Sequence, residues 1–394
     1  MDANDRPDGA KLKAILSAID SALDGYQRPL ALHEPSFAGN EWNYLKECLD
    51  TGWVSSGGKF VDRMESALVD FTGAKHAVAV VNGTAALHIC LKLAGVGPGD
   101  EVLVPTLTFI ATANAVSYCG ATPHFVDAEE STLGVAVAKF AEYLAETCEE
   151  REGQCFNRRT GARIAAFMPM HTFGHPVDLD PLLELCERFH LVLVEDAAES
   201  LGSFYKGRHT GNFGRMAALS FNGNKVVTTG GGGAILTNDP VLGKAARHLT
   251  TTARLPHRWS FVHDQVGYNY RLPNINAALG CAQLEQLPAF LTRKRAVAAR
   301  YVAAFAGVSG MRVLEEPKHS HSNYWLNALI LDRGREAERD ALLEAVNAQG
   351  ILARPLWTLM HHLPMYQNCP RMDLSGAEDL ERRVVNVPSS AALG

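Results

Sequence analysis

Apolar and polar residues alternate with two different periods along most of this chain. From Lys75 onward, short continuous apolar runs, which are typical of buried strands, are separated by stretches with helical spacing of apolar residues. The strand-like runs are HAVAVV (76–81), EVLVPTL (101–107), ATPHFVD (121–127), ARIAAFMPM (162–170) and LVLVEDAA (191–198). Such alternation predicts an α/β fold with a mainly parallel sheet that is covered by helices on both faces.

The two ends of the chain show weaker patterns. Leucine and isoleucine at helical spacing predict a helix over residues 11–25. We expect Pro288 to interrupt a later helix, and residues 144–162 to form a loop-like insertion. The predicted division is an N-terminal helical extension (1–35), a large domain (36–285) and a small C-terminal α+β domain (286–394).

Composition and charge narrow the class of protein. With 394 residues, 47% hydrophobic and 20% charged, the chain has the makeup of a globular protein with a large core. The net charge of −6 argues against nucleic acid as a partner, and no apolar run approaches the roughly 20 residues that span a bilayer. The segment Met1–Asp24 lacks the apolar stretch of a secretory signal, so the expected location is the cytoplasm.

The eight cysteines do not predict a metal site or a disulfide framework. None forms a C-x-x-C pair, and most lie in apolar or helical stretches. Zinc sites and disulfide-rich folds need tighter clustering than this. We therefore expect buried thiols and no bound metal.

Two features at predicted strand ends carry candidate chemistry. Asn82-Gly83-Thr84 lies between a strand and a helix, where backbone N–H groups and the helix dipole suit a phosphate, although a glycine needed only for the turn is the alternative. Asp196 ends the run LVLVED at the sheet edge where ligands bind. A buried carboxylate there requires a partner such as a protonated pyridine nitrogen, unless Asp196 merely caps the next helix.

Lys225 is the third candidate. It stands in SFNGNK between two apolar strands and precedes four glycines at 230–233. A lysine becomes nucleophilic when enclosure near other cationic groups lowers its pKa; a surface lysine beside a flexible loop is the alternative. The glycines lack the order G-x-x-x-x-G-K-[ST], and no dinucleotide fingerprint follows the first strand. This argues against a nucleotide P-loop and against a Rossmann-type dehydrogenase.

Several motifs in a fixed order resemble one known family. Between about Glu34 and Ser390 the chain contains TGWVSSGGKFVDRMESAL, NGTAALHICLKLAGVGPGDEVLVPTLTFIATANAV, HTFGHPVDLD, VEDAAESLGS, SFNGNK, GGGGAILTND and GYNYRLPNINAALG. In this order they resemble the DegT-type sugar-nucleotide aminotransferases, which depend on pyridoxal 5′-phosphate (PLP) and are related to aspartate aminotransferase. The resemblance covers nearly the whole chain. It implies the PLP-dependent transferase fold type I and a transamination reaction.

The resemblance also implies roles for individual residues. Lys225 matches the Schiff-base lysine that shuttles a proton, and Asp196 matches the carboxylate on the pyridine nitrogen. Glu199 occupies a position near the 3′-oxygen of the cofactor that often holds Gln or His. The other implied cofactor-binding residues are Gly83 and Thr84 in the phosphate turn, Ser220, Asn269 from the partner subunit, and Phe109 stacked on the cofactor ring. The implied substrate contacts are Trp53, Ser55, His171 and Arg354, each of which is equally compatible with a structural role.

The motifs favour one branch of the family. The segment before HEPSFAGNEW and the motifs SFNGNK and GGGG resemble the branch that aminates C4 of UDP-2-acetamido-4-keto-2,4,6-trideoxyhexose, on routes to bacillosamine and legionaminic acid. The family also implies L-glutamate as donor, ping-pong transfer and a symmetric homodimer. The alternatives are a GDP-perosamine-type C4 aminotransferase and a PLP-dependent sugar dehydratase. The family's dehydratases carry His at the position of Lys225. A PLP-binding regulator would carry a DNA-binding module, which is not visible in this sequence.

Overall fold

The computed structural model describes residues 9–394, so the first eight residues of the predicted N-terminal extension lie outside the described residues. The α-helices are α1 (Gly9–Ala22), α2 (Glu41–Thr51), α3 (Lys59–Thr72), α4 (Gly83–Leu93), α5 (Ile110–Tyr118), α6 (Val137–Thr147), α7 (Leu179–Arg188), α8 (Pro240–Thr250), α9 (Asn274–Phe305), α10 (Arg339–Ala348) and α11 (Ser375–Arg383). The strands are β1 (His76–Val80), β2 (Glu101–Pro105), β3 (Thr122–Val126), β4 (Cys148–Arg151), β5 (Gln154–Asn157), β6 (Ile164–Phe167), β7 (Val192–Asp196), β8 (Phe204–Tyr205), β9 (Arg208–His209), β10 (Met216–Ser220), β11 (Gly233–Thr237), β12 (Met311–Val313), β13 (Ser320–His321), β14 (Asn327–Leu331), β15 (Arg354–Pro355) and β16 (Val384–Val387).

A seven-stranded sheet forms the centre of the molecule, in the order β1-β11-β10-β7-β6-β2-β3. The five strands from β10 to β3 in that order run parallel to one another. Strand β11 pairs antiparallel with both β1 and β10. The sheet is therefore mainly parallel but mixed, which confirms the predicted fold class.

Alternating side chains of β1 show why helices cover both faces of this sheet. Val78 packs in a core with Leu87 of α4, whereas Ala79 packs in a second core with Met64 of α3. Successive side chains of a strand point to opposite faces, and both faces of β1 are apolar. A strand with two apolar faces is stable only between two layers of helices.

A second sheet lies in the C-terminal part of the chain. Its strands follow the antiparallel order β12-β14-β16-β15. A third core joins this sheet to the helices around it, with Ile19 of α1, Tyr301 of α9 and Leu329 of β14 all buried. The N-terminal helix therefore packs on the C-terminal part of the fold.

Helix α9 corrects one prediction. It continues without a break from Asn274 to Phe305 with Pro288 inside it, so the proline does not divide it. The buried residues Leu284, Leu287 and Phe290 pack on the core on both sides of Pro288. This packing outweighs the lost backbone hydrogen bond. The proposed domain boundary between 285 and 286 falls within this continuous helix and stays a proposal.

The loop-like insertion predicted at 144–162 is also corrected. Strands β4 and β5 pair there as an antiparallel hairpin, and α6 extends to Thr147. Glu152 and Gly153, with φ of 52° and 73°, form the turn between the strands. The strand Cys148–Arg151 is mostly charged, so the pattern of apolar runs does not indicate the hairpin.

None of the helices in the described part of the chain combines the length and the apolar character that crossing a membrane requires.

Candidate active site

Several predicted site residues lie at one edge of the central sheet. Asp196 is the last residue of β7, and Ser220 is the last residue of the neighbouring parallel strand β10. The segment that follows β2 leads to Phe109 at the start of α5. Carboxyl ends of parallel strands meet at one edge, which is where α/β proteins bind ligands.

Asp196 is a buried carboxylate held by hydrogen bonds. The Thr112 hydroxyl donates to Asp196 Oδ2 at 2.7 Å, and the Ala198 backbone N–H donates to Oδ1 at 3.1 Å. Burial raises the pKa of Asp196, against the opposing effects of these two donors and of the positive charge of Lys225. Among residues 9–394, no cationic side chain lies within ion-pair distance of Asp196. The carboxylate is therefore suited to face a cationic ring nitrogen.

The Lys225 amine lies between an acid and an aromatic ring. Lys225 Nζ donates to Glu199 Oε1 at 3.1 Å and lies 3.8 Å from the centroid of the Trp325 ring. Trp325 is fixed in turn, because its indole N–H donates to the Asn224 carbonyl oxygen at 2.7 Å. We call Lys225, Glu199 and Trp325 the amine site. Its lysine side chain is only 12% exposed, unlike an ordinary surface lysine.

Glu199 has few partners for a buried acid. Its Oε2 accepts a hydrogen bond from the Phe173 backbone N–H at 2.9 Å, and its Oε1 faces Lys225. Burial raises the pKa of Glu199 to about 7, although the nearby charge of Lys225 acts in the opposite direction. The carboxyl group can therefore gain or lose a proton near neutral pH, next to the amine.

Three of the predicted phosphate-binding residues, Gly83, Thr84 and Ser220, lie together where β10 ends and α4 begins. Gly83 is the first residue of α4, and Asn82 caps the helix by accepting from the Ala85 N–H at 2.7 Å. A Cβ atom at Gly83 would lie 2.9 Å from Ser220 Cβ, so only glycine allows this close approach. We call Gly83, Thr84 and Ser220 the phosphate cradle. Its backbone N–H groups and helix dipole suit an anion.

The remaining cofactor-binding predictions concern two exposed residues. Phe109 precedes α5, is 48% exposed, and has its ring centroid 6.0 Å from that of Trp357. Asn269 is exposed and pairs with Thr251 in an isolated bridge before α9. Stacking by Phe109 and a contribution of Asn269 to a partner subunit stay predictions.

Two of the predicted substrate residues, Trp53 and Ser55, lie in a loop tied to the start of α9. The Trp53 side chain is 62% exposed, and its carbonyl oxygen accepts from Asn274 Nδ2 at 2.7 Å. The Ser55 carbonyl oxygen accepts from the Asn274 backbone N–H at 2.7 Å. The described contacts fix this loop in place without joining it to Lys225, and its contact with a substrate stays a prediction.

His171 and Arg354, the other two, lie in different surroundings. His171 is fully buried; its Nε2 bonds Glu195 Oε2 at 3.1 Å, and its Nδ1 accepts from the Val177 N–H at 3.3 Å. Both ring nitrogens are therefore used within the protein, and a direct contact of His171 with a substrate stays a prediction. Arg354 is exposed on β15 and donates to the Ala353 carbonyl oxygen at 3.1 Å.

The structure adds residues that the sequence reasoning missed. Thr112 on α5 donates a hydrogen bond to Asp196. In the motif TFIATAN it follows Thr108 by four residues, and this spacing was the sequence signal that could have identified it. Trp325 lies 100 residues beyond Lys225 in sequence, and only the fold brings them together. No local pattern around Trp325 indicates this contact.

One group of side chains has atoms close enough to hold a metal. Within the described residues, ligand atoms of His361, His362 and Glu378 lie within 4.8 Å of one another. His361 already bonds Thr106 through Nδ1 at 2.7 Å and Glu378 through Nε2 at 3.3 Å. Thr106 thus occupies one ring nitrogen of His361, and the other already bonds Glu378 within the group.

The site residues fit PLP. Asp196 lacks a cationic partner among the described residues and matches a protonated pyridine nitrogen. The phosphate cradle lies at the same sheet edge, where Gly83 leaves no room for a Cβ atom against Ser220. Lys225 supplies a partly enclosed amine.

Comparisons with known proteins agree with this geometry. Residues 35–394 match the model of the DegT/DnrJ/EryC1/StrS aminotransferase family. The chain is 39% identical to a GDP-perosamine synthase of Caulobacter vibrioides over 92% of this chain and 94% of that protein. It is 35% identical to the putative pyridoxal phosphate-dependent aminotransferase EpsN of Bacillus subtilis, over 92% of each chain. The solved aminotransferase TlmJ of Streptoalloteichus hindustanus superposes with a TM-score of 0.83 at 28% identity, covering 93% of this chain and 94% of TlmJ.

These comparisons confirm the resemblance at the level of the family but not of its branch. The similar GDP-perosamine synthase represents the alternative that the motifs left open, and the bacillosamine and legionaminic acid branch is not specifically supported. The predictions of an aminotransferase and of PLP as its cofactor are confirmed. The chain belongs to the DegT/DnrJ/EryC1/StrS aminotransferase family.

Proposed function

We propose that this enzyme transfers an amino group from L-glutamate to C4 of a nucleotide-linked 4-keto-6-deoxy sugar. The observation that carries the proposal is the Lys225 amine, enclosed by Glu199 and Trp325 at the sheet edge that also holds Asp196. A lysine in this position favours transamination, because the family's dehydratases carry His there.

Each group at the site has a chemical task in this reaction. When bound, PLP supplies an aldehyde that bonds amines and a ring that accepts electrons. Asp196 would hold the cofactor's ring nitrogen by its negative charge, and the phosphate cradle would hold the phosphate and so orient the ring. The Lys225 amine would take the proton from the donor carbon and give it to the cofactor, and in the second half of the reaction it would carry a proton from the cofactor to C4 of the sugar. Glu199 holds the amine by a hydrogen bond of 3.1 Å and exchanges a proton with it.

The nucleotide is proposed to be GDP. Support comes from the GDP-perosamine synthase that is 39% identical over nearly the full length. A UDP-linked 2-acetamido-4-keto sugar is the second candidate, which the motifs SFNGNK and GGGG favour. The two candidates differ in the base and in the group at C2, so one assay distinguishes them.

A homodimer is part of the proposal. Trp259 and Phe261, between α8 and α9, are 70% and 73% exposed, and exposed aromatic residues in one segment are typical of an interface. Trp53 and Asn269 are exposed as well, in agreement with a role at a neighbouring subunit's site. Light scattering that gives a fully active monomer would contradict the dimer. A cytoplasmic location and the lack of a nucleic-acid partner stay sequence-based predictions.

The test supplies the purified, PLP-loaded protein with L-glutamate and, separately, the GDP- and UDP-linked 4-keto-6-deoxy sugars. We expect 2-oxoglutarate and an amino sugar with GDP, identified by mass spectrometry. Lys225→Ala protein is the control for the chemistry. Preference for the UDP sugar would move the enzyme to the branch that the motifs resemble, and release of water instead of amine transfer would make it a dehydratase.

A further inference from the structure

The segment after α1 brings a histidine toward the amine site. The Leu32 carbonyl oxygen accepts from the Ser389 backbone N–H at 2.8 Å, and the Glu34 backbone N–H donates to Ser390 Oγ at 2.8 Å. His33 lies between these two anchored residues. Its backbone is therefore fixed on both sides, so its ring has a defined position.

The His33 ring shares an aromatic neighbour with Lys225. Its centroid lies 6.5 Å from that of Trp325, and Lys225 Nζ lies 3.8 Å from the centroid of the Trp325 ring. Both ring nitrogens of His33 are buried, and neither has a hydrogen-bond partner among residues 9–394. Buried polar atoms of this kind are normally paired, so an unpaired ring beside a catalytic amine requires an explanation.

The surroundings keep the His33 ring neutral. Burial lowers the pKa of His33 well below its ordinary value, and the positive charges of Lys294 and Lys225 lower it further. A neutral imidazole keeps one ring nitrogen as a hydrogen-bond acceptor. His33 therefore offers an acceptor to a donor near the amine site.

Of the two neighbouring lysines, Lys225 has N–H groups to spare. Lys294 Nζ already donates to the carbonyl oxygens of Trp325, at 3.1 Å, and Ser389, at 2.6 Å. The hydrogen bond that the structure gives Lys225 Nζ among residues 9–394 is the one to Glu199. An amine that leaves the cofactor has two or three N–H groups and needs further acceptors to keep its direction.

We propose that His33 is a positioning residue whose neutral ring accepts a hydrogen bond from the Lys225 amine while that amine is free of the cofactor and carries the proton. Glu199 and His33 would then hold the amine from two sides, next to Trp325. This inference rests on the proposed function, since it assigns His33 to the proton-transfer step of that reaction. It also gives the segment before α2 a task at the active site.

The test compares two substitutions that separate packing from hydrogen bonding. His33→Phe keeps an aromatic ring beside Trp325 but removes the acceptor, whereas His33→Gln keeps an amide acceptor. The PLP-loaded proteins are mixed rapidly with L-glutamate that carries hydrogen or deuterium on Cα. We expect the Phe variant to react about tenfold more slowly, with a larger deuterium isotope effect, and the Gln variant to recover most of the rate. Glutamate KM and the melting temperature should stay close to those of the wild type.

A second readout does not depend on turnover. In protein loaded with pyridoxamine phosphate, which leaves the Lys225 amine free while the cofactor is in place, 15N-labelled histidine should show a neutral His33 ring by NMR, assigned by its loss in His33→Phe. Replacing Lys225 by Ala should shift the resonance of its acceptor nitrogen. Lys206→Ala, which removes an exposed lysine, should leave that resonance unchanged.

Several results would overturn the proposal. The first is a wild-type rate with an unchanged isotope effect in His33→Phe. The second is an equal loss of rate in the Phe and Gln variants together with a lower melting temperature. The third is a His33 resonance whose position does not change in Lys225→Ala. The proposed function fails in a different way. A wild-type protein that reacts with glutamate but aminates no keto-sugar would refute the proposed acceptor, while the glutamate reaction would still decide the role of His33.

Discussion

Strand β7 and the turn that follows it hold two buried acids, Glu195 and Glu199, that differ in how completely they are paired. Glu195 accepts backbone N–H groups of Gly211, Phe213 and Gly214, each at 2.7 Å, and bonds His171 at 3.1 Å. Burial alone would raise its pKa, but these donors hold the pKa below its ordinary value. Glu199, just beyond β7, has one backbone donor and Lys225, and its pKa is raised to about 7.

The difference separates a structural acid from a reactive one. A carboxylate saturated with fixed donors stays ionised and holds the chain in place. A buried carboxylate with few donors keeps a pKa that lets it exchange protons with its neighbour at neutral pH. Burial alone does not distinguish the reactive acid from the structural one. The number of fixed hydrogen-bond donors around each carboxylate distinguishes them, and the reactive acid has fewer.

The largest expected effect comes from removing the Lys225 amine that pairs with Glu199. Lys225→Ala should slow the glutamate reaction more than about a thousandfold, because both the bond to the cofactor and the proton carrier are lost. Stopped-flow mixing of each PLP-loaded protein with glutamate measures this. Lys206→Ala, which breaks an exposed ion pair with Asp180, is the matched control and should react at the wild-type rate. Substantial turnover by Lys225→Ala would refute the assignment.

Removing the charge from the structural acid should instead lower stability. Glu195→Gln directs an amide N–H₂ group toward backbone N–H donors, so we expect the free energy of unfolding to fall by about 3 kcal/mol at pH 7. Urea denaturation of cofactor-free protein measures the change. Glu199→Gln is the matched substitution and should cost much less at that pH. Equal losses from the two substitutions would contradict the distinction between the acids.

The same substitution at Glu199 should also change the pH dependence of stability. The folded-state pKa of about 7 exceeds the ordinary value of 4.5, so the folded protein holds a proton that the unfolded chain releases between these values. Wild-type stability should therefore fall relative to that of Glu199→Gln, by about 3 kcal/mol, as the pH rises from 4.5 to 8. Urea titrations at several pH values test this. Parallel curves for the two cofactor-free proteins would contradict the raised pKa.

The smallest expected effect is at the phosphate cradle. Gly83→Ala places a Cβ atom 2.9 Å from Ser220 Cβ, so the cradle must open and PLP affinity should fall about tenfold. Gly97→Ala is the control, because a Cβ atom there meets no atom of the described residues within 4 Å. Fluorescence titration of the cofactor-free proteins with PLP gives both affinities. Equal affinities would argue against phosphate binding at Gly83.

The sequence predicted the parts of the fold that depend on local pattern. Apolar runs such as LVLVED located the strands of the central sheet, because a strand buried on both faces must be apolar throughout. The charged hairpin of β4 and β5 has no such pattern, and packing carries α9 through Pro288 against its local preference. Tertiary contacts decided both of these elements.

The same limit applies to the site. Lys225 and Asp196 lie in motifs that sequence alone could identify, and the structure places both at the predicted sheet edge. Trp325 comes from a distant segment and meets Lys225 only after folding. His33 lies beside the same tryptophan ring, again only through the fold. His171 was chosen for its motif, but its surroundings make it a partner of Glu195. Residue type and position in the sequence predict the chemistry of a side chain only where its neighbours in the fold come from the same segment of the chain.

The most direct test of the account is the identity of the lysine that bonds the cofactor. The PLP-loaded protein is reduced with borohydride, digested, and the modified peptide is sequenced by mass spectrometry. We expect the phosphopyridoxyl group on Lys225 alone. Modification of another lysine, such as the buried Lys294, with Lys225 unmodified, would contradict the assignment of the amine site.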